Sequence, residues 1–392
     1  MTYATYFLLI ALATPAVLAS AYLLVLTILS AQARAIRPAS KTLKFDVIVP
    51  AHNEAAVIER TVSSLRKIDW PADRFRVLVV ADNCTDTTAV LARGAGAKVL
   101  ERHDPTLRGK GYALAFAFQS SREQGWADAV AVIDADAEVS SNLLEAFAGR
   151  IEEGVQAIQV HYGILNPMAS WRTRLITIAK AAFHIVRSRA RERLKLSCGI
   201  RGNGWCVTHD LLKRVPYQAY SLTEDLEFGI DLGLAGYRVA YADEAHSDAE
   251  MVTNEKVAST QRRRWEDGRF AMVRSRTLPL LLKALGRADR VCLDLALDLL
   301  VLPLSYVTLN VGLLIICASI AVYWHLANVV WLWLALACAA SLLAYVLRGW
   351  QLSGIGARGI FDLARAPMFL IWRVLSVLRP RAQGWVRTDR EK

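Results

Sequence analysis

The sequence predicts an α/β domain built on a mostly parallel sheet and joined to about three membrane helices, and three observations carry this. Between Lys44 and Ala157, short apolar runs (Phe45–Val49, Arg76–Ala81, Lys98–Leu100, Ala129–Ile133) alternate with amphipathic stretches, which is the βαβ pattern. Three long apolar runs, Tyr6–Ala33, Leu299–Trp324 and Leu326–Leu347, are each about long enough to cross a ~30 Å hydrocarbon core. The hydrophobic share of 54% over 392 residues is also high for a soluble chain.

The first run is uncharged from Tyr6 to Ala33. Ala31-Gln-Ala33 would suit a signal-peptide cleavage site, but Met1–Tyr6 has no Lys or Arg and the run exceeds the usual apolar region of such a peptide, so a membrane span is expected. The second and third runs form a tight hairpin around His325. Basic residues follow the first run (Arg34, Arg37, Lys41, Lys44) and the third (Arg348, Arg358, Arg365), which places both flanks in the cytoplasm. The expected setting is therefore the inner (plasma) membrane with the α/β domain cytoplasmic.

The expected organisation has four parts. Residues 1–40 are a membrane helix with its basic flank. Residues 41–276 are the cytoplasmic domain, divided into a nucleotide-binding half, 41–157, and a more helical acceptor half, 158–276. Residues 277–350 form the membrane hairpin. Residues 351–392 are an amphipathic interface helix over Ile355–Leu378 and a basic tail.

The six cysteines show no Cys-x-x-Cys or Cys/His ligand spacing and are read as reduced structural thiols. The net charge of +11 gathers at membrane flanks and soluble helices without an RNA-binding signature, so nucleic acid is excluded as partner. Anionic lipid headgroups and a phosphate-bearing substrate account for it.

Ligands of parallel sheets bind beyond the carboxyl ends of the strands. Three polar segments fall there: Pro50-Ala-His-Asn-Glu54, Ala81-Asp-Asn-Cys-Thr-Asp86 and Asp134-Ala-Asp136. Two carboxylates one residue apart repel unless a cation lies between them, so Asp134 and Asp136 point to a divalent metal. Gly94-Ala-Gly96 and Gly109-Lys-Gly111 both lack the remaining residues of a dinucleotide or phosphate-loop motif. Further along stand Gly202-Asn-Gly204, Thr223-Glu-Asp225 and Gln261-Arg-Arg-Arg-Trp265. His52, His161 and His246 are far apart in sequence without metal spacing and are read as structural.

Taken in order, Asp82, Asp134-Ala-Asp136, Thr223-Glu-Asp225 and Gln261-Arg-Arg-Arg-Trp265 resemble the motifs of the family 2 glycosyltransferases, in the membrane branch that includes cellulose, chitin and hyaluronan synthases and ceramide glucosyltransferases. The resemblance covers Phe45 to Arg276. It implies a nucleotide-diphospho-sugar transferase (GT-A) fold, a UDP-sugar donor and Mg²⁺ or Mn²⁺, held by Asp136 directly with Asp134 nearer the ribose. It further implies that Asp82 lies on the uracil side, that Pro50, Asn53 and Glu54 line the nucleotide pocket, and that Lys110 reaches the nucleotide or the sugar. Gly202 and Asn203 resemble the acceptor-side loop.

The chemistry is consistent with these roles. An acceptor hydroxyl needs a base; Asp225 is the candidate that the motif picks, with Glu224 and Glu227 as local competitors. In the Gln261 motif, Arg264 suits a departing diphosphate and Trp265 a sugar ring. The resulting expectation is an inverting transfer to a membrane lipid or lipid-linked acceptor. The alternative is a processive polysaccharide synthase, working as an oligomer or with an export partner, and a remote one is an inactive scaffold of a polysaccharide complex. Three spans are few to enclose a polar polymer, which favours the lipid.

Overall fold

The computed structural model describes residues 2–32, 38–251 and 255–366, with backbone alone for Thr2 and residues 255–263. Arg34, Arg37, the basic tail and the second half of the expected interface helix Ile355–Leu378 lie outside the described residues.

The chain groups into two compact units. The sheet unit comprises Gln32–Asn166 and Arg191–Ala296. Its eight strands are β1 (Phe45–Ala51), β2 (Phe75–Asp82), β3 (Lys98–Arg102), β4 (Ala129–Val132), β5 (Ala137–Val139), β6 (Ala157–Ile164), β7 (Trp205–Thr208) and β8 (Ala240–Ala249). They lie in the order β3-β2-β1-β4-β7-β6-β8-β5. Strands β1 to β4 are mutually parallel where they pair, β7 is antiparallel to both β4 and β6, β8 is parallel to β6, and β5 closes the sheet antiparallel to β8. The four strands expected from the apolar runs are β1 to β4, each within two residues. Strands β6 and β8 were less legible, because polar residues such as Gln159, His161, Asp243, His246 and Asp248 break their apolar pattern.

Strands buried on both faces read as continuous apolar runs, since alternate side chains enter different cores. Val47 and Val49 pack with Ile58, Val62 and Phe147 on one face. Ile48, Val130 and Val132 pack with Leu114, Phe118, Trp205 and Phe228 on the other. The helix Lys110–Gln124 ends on Gly125 at φ 58°, the left-handed stop that glycine adopts without steric cost.

The helical unit comprises residues 2–31, Pro167–Ala190 and residues 297–366. Three of its helices are long and apolar enough to cross a membrane: Tyr3–Ile28, Leu304–Tyr323 and Val330–Leu352. They begin and end a few residues from the apolar runs in the sequence; Pro303 caps the second, which shortens it at its start. Ala16 and Leu23 pack against Val311, Leu314, Cys338 and Leu342. The segment Trp171–Ala181, capped by Ser170 and Thr173, continues through a π-turn at Ala182–Val186 and joins this unit. Gly349 makes that packing possible, because a Cβ there would meet Ala182 Cβ at 2.6 Å.

Candidate active site

The loops that follow β1 and β2 are stitched to each other. His52 Nδ1 meets the Asp82 carbonyl at 2.7 Å, and Asn53 Oδ1 accepts from Thr85 N at 2.7 Å. The Glu54 amide donates to Thr88 Oγ1 at 2.8 Å. Asn53 and Asn83 both sit at positive φ, 56° and 51°, which asparagine tolerates better than most residues. Pro50 is the penultimate residue of β1 and starts this turn. Asp82 is buried, and its Oδ1 accepts from Arg102 Nη1 at 2.6 Å and from Asn83 Nδ2 at 3.1 Å. Arg102 belongs to no motif, and sequence reasoning missed it; its place at the end of β3, beside Asp82 at the end of β2, was the available signal.

Beyond β4 the chain turns sharply, with Ala137 N donating to Asp134 O at 3.1 Å. Ala135 is buried beneath the turn, its carbonyl accepting from Thr61 Oγ1 at 2.7 Å. This leaves Asp134 and Asp136 half-buried on its outer side. Lys110, at the start of its helix, ties three segments together. Its Nζ lies 2.5 Å from Asp134 Oδ1, 2.6 Å from the Gly202 carbonyl and 3.8 Å from Glu224 Oε1.

The Gly202-Asn-Gly204 loop closes the arrangement. Asn203 is fully buried, and its Oδ1 accepts from the Asp134 amide and from Ser247 Oγ, both at 3.0 Å. Gln159, another residue with no motif, donates to the carbonyls of Asn203 and Gly204 and accepts from the Arg201 amide. Gly202 stands at φ +87°, where a Cβ would sit 3.3 Å from Asp225 Oδ2. A side chain there would crowd the candidate base.

Glu224 and Asp225 open the helix Glu224–Leu234, where the helix dipole favours negative charge. Burial outweighs that effect. It pushes Glu224 up to about 7, against the pull of Lys110 and with added repulsion from Asp225. Asp225 is raised for the same first reason, burial, again opposed by Lys110. Burial alone would lower the Lys110 ammonium, but Asp134, Glu224 and Asp225 together hold it well above the ordinary lysine range. Glu227 is the carboxylate of this group that is engaged elsewhere, by Arg276 at 3.4 Å and the Ser221 amide at 3.0 Å.

Arg264 and Trp265 lie on the helix Glu255–Arg287, one turn before Gly268. Gly268 abuts Thr223, whose Cγ2 would be 2.4 Å from a Cβ at that position. Residues four apart share a helix face, so Arg264 rides on the face that meets the Thr223-Glu-Asp segment. Its Nε is buried and has no hydrogen-bond partner among the described residues, and Trp265 is 42% exposed. The Gln261 side chain is outside the described residues. His161 and His246, far apart in sequence, are register partners on β6 and β8, and His246 Nδ1 lies 2.9 Å from Asp248 Oδ2.

Asp134 and Asp136 offer hard oxygen donors, which suit Mg²⁺ or Mn²⁺. Among the described residues no group of three or more His, Cys, Asp and Glu side chains converges as a metal cage. The donor set therefore fits an ion that takes its remaining positions from substrate phosphates and water, the usual habit of Mg²⁺.

Known proteins share this architecture. A family model described as glycosyltransferase-like family 2 matches residues 43–268, more than half of the chain. A beta-monoglucosyldiacylglycerol synthase of Synechocystis sp. is 30% identical over 234 residues, 57% of this chain and 47% of its own length. The probable glycosyltransferase YdaM of Bacillus subtilis is 25% identical over 57% of this chain and 55% of its own. The chain thus spans about half the length of these curated relatives. In fold, it is similar to the mannosyltransferase PcManGT from Pyrobaculum calidifontis, solved with GDP-Man and Mn²⁺, at a TM-score of 0.52 and 19% identity over 89% of this chain and 99% of that one. By the matched model and the order of its motifs, the chain belongs to the glycosyltransferase-like family 2.

Proposed function

We propose that this protein transfers a sugar, with inversion, from a UDP-sugar to a membrane lipid or lipid-linked acceptor. The observation that carries the reading is the Lys110 cluster: one ammonium joins the carboxylate turn after β4, the glycine loop before β7 and the Glu224–Asp225 helix start. Donor and acceptor chemistry would meet at that point.

In the mechanism, Asp225 takes the proton of the acceptor hydroxyl. The freed oxygen attacks the anomeric carbon from the side opposite the diphosphate, and the glycosidic C–O electron pair leaves with the nucleotide. Arg264 stabilises the departing oxygens, and Lys110 supplies a second positive charge beside them. Asp136 and Asp134 would hold the divalent ion, which neutralises charge on the diphosphate when bound. Asp82, anchored by Arg102, presents its carboxylate to the nucleobase, and the Pro50–Glu54 loop walls that pocket. Gly202 keeps space open in front of Asp225, and Trp265 lines the acceptor path.

The lipid acceptor is supported by the relatives named as beta-monoglucosyldiacylglycerol synthases and by the three apolar helices. The "beta" in those names also agrees with inversion, since UDP-glucose carries an α-linked sugar. The basic residues after the first and third spans support a cytoplasmic α/β domain at the inner membrane. Incubating the purified protein with a panel of UDP-sugars and total membrane lipid, followed by mass spectrometry of the lipid extract, tests the reading. The expected product is a lipid carrying one or a few added sugars. A high-molecular-weight polymer made without partners would replace this reading with the synthase alternative.

A further inference from the structure

The described residues of the helical unit carry eight Lys and Arg (Arg172, Arg174, Lys180, Arg187, Arg189, Arg348, Arg358, Arg365) against only two carboxylates, Asp298 and Asp362. Both carboxylates are buried and used internally. Asp298 pairs with Arg187 at 2.9 Å, and Asp362 with Arg174 at 2.5 Å. The unit therefore keeps a large net positive charge.

That charge is confined to one end of the three-helix bundle. Arg348, in the last turns of the third span, donates to Ser30 Oγ at 2.9 Å and Ser30 O at 3.3 Å, which puts the ends of the first and third spans side by side. Gly349 fixes Ala182, and so the arginine-bearing helix Trp171–Ala181, at this same level. Gly359 packs on Trp350 and Ile178, which anchors the short helix Ala357–Leu363 beside it. That helix exposes Ile360 and Phe361, the latter 76% open, between Arg358 and Arg365. The opposite end is aromatic instead: Tyr6 packs edge-on against Trp331, and Tyr323, Trp324 and Trp333 are exposed. Residues 2–8 and 320–334 contain no Lys, Arg, Asp or Glu. Along the third span, Trp331 and Arg348 are about 25 Å apart at 1.5 Å per residue, close to the thickness of a hydrocarbon core.

We propose that this basic end is a binding collar for anionic phospholipid headgroups, with Arg172, Arg358 and Arg365 facing the headgroup phosphates and Ile360 and Phe361 seated in the acyl boundary. The proposal rests on the reading of the three helices as membrane spans. Charge complementarity selects the occupant: a zwitterionic surface leaves the excess positive charge uncompensated, whereas each basic side chain near an anionic surface gains about a fivefold preference. Apolar side chains flanked by arginine on a short helix are the pattern of an interfacial anchor.

The test uses the full chain reconstituted in nanodiscs of phosphatidylcholine and phosphatidylglycerol in equal amounts, with the lipids that stay bound after detergent dilution identified by native mass spectrometry. Phosphatidylglycerol is expected to be enriched several-fold over the input, and the enrichment is expected to shrink as salt is raised. The combined variant Arg172→Gln, Arg358→Gln, Arg365→Gln should bring the retained lipid back towards the input ratio, while Lys213→Gln on the sheet unit should leave the enrichment intact. Retained lipid that mirrors the input in the parent protein, or an enrichment indifferent to salt and to the three substitutions, overturns the collar. Should the triple variant fail to fold, the parent's lipid ratio and salt response decide alone. The readout needs no sugar donor, so its failure leaves the transfer reading standing; a chain that stays in water without detergent would instead overturn the spans and the collar together.

Discussion

Asp46 and Asp134 stand at opposite ends of two paired strands, β1 and β4, and their surroundings differ in kind. Asp46 is fully buried; Arg76 grips both its oxygens at 2.8 Å, and Ser121 Oγ donates to it at 2.5 Å. Ser121 in turn meets His209 Nε2 at 2.9 Å. Asp134 is half-buried and shares the single ammonium of Lys110 with Glu224, with Asp225 close behind. A buried carboxylate with a full set of partners holds shape, whereas carboxylates that outnumber their cations are poised to accept a metal or a proton. On the proposed function, the contrast separates a structural end of the sheet from a chemical one.

The most damaging test falls on the chemical end. Chelation with EDTA, or Asp136→Ala, is expected to reduce transfer by roughly a thousandfold or more while the melting temperature moves by less than about 2 °C. Full transfer in EDTA would remove the metal from the mechanism and leave the Asp134 turn looking like the Asp46 end. Asp225→Asn comes next: transfer should fall by two to four decades, roughly 3–5 kcal/mol of barrier, with UDP affinity by calorimetry unchanged. Turnover within about threefold of the parent would make Asp225 a helix-start carboxylate and move the base to Glu224.

At the structural end the signs reverse. Asp46→Ala strands Arg76 and should lower stability by about 3–5 kcal/mol in denaturant titration, while the folded fraction keeps its turnover. Unchanged stability would dissolve the comparison. The pH profile sharpens it further. Burial raises both Glu224 and Asp225, and the base works only when deprotonated, so as pH drops turnover should begin to fall above the ordinary carboxylate range rather than within it. An acid limb confined to the region of about pH 4 would contradict the burial argument. The smallest expected effect is Gly202→Ala, where a left-handed backbone and a Cβ 3.3 Å from Asp225 should cost about 1–2 kcal/mol, or about tenfold in rate, read as kcat at saturating donor.

Much of this was legible in residue order. The strands β1, β2 and β4 announce themselves because both their faces are buried, and the three apolar helices because a membrane demands unbroken apolar length. Asp82, Asp134, Asp136, Asp225, Arg264 and Trp265 stand out because each belongs to a short motif with a chemical purpose. The strands β6 and β8 were harder: polar residues interrupt their apolar pattern, with Gln159 holding a loop from β6 and Ser247 supporting Asn203 from β8. The helix Trp171–Ala181 was not singled out from the 158–276 half, because Arg172, Arg174 and Lys180 dilute its apolar average, although long side chains of this kind can lie along apolar surface with only the charged head in water.

What sequence determined by itself was composition-driven: which segments must be buried, which are long enough to cross a membrane, and which residue types carry the chemistry. What only the tertiary structure decided was partnership. Arg102 is given to Asp82, Arg76 to Asp46, and one Lys110 to both Asp134 and Glu224, across 20, 30, 24 and 114 residues of chain. Hydrophobic burial is roughly additive along a chain and can be read locally, but the state of a charge depends on which opposite charge the fold delivers within about 4 Å and how much water it leaves there.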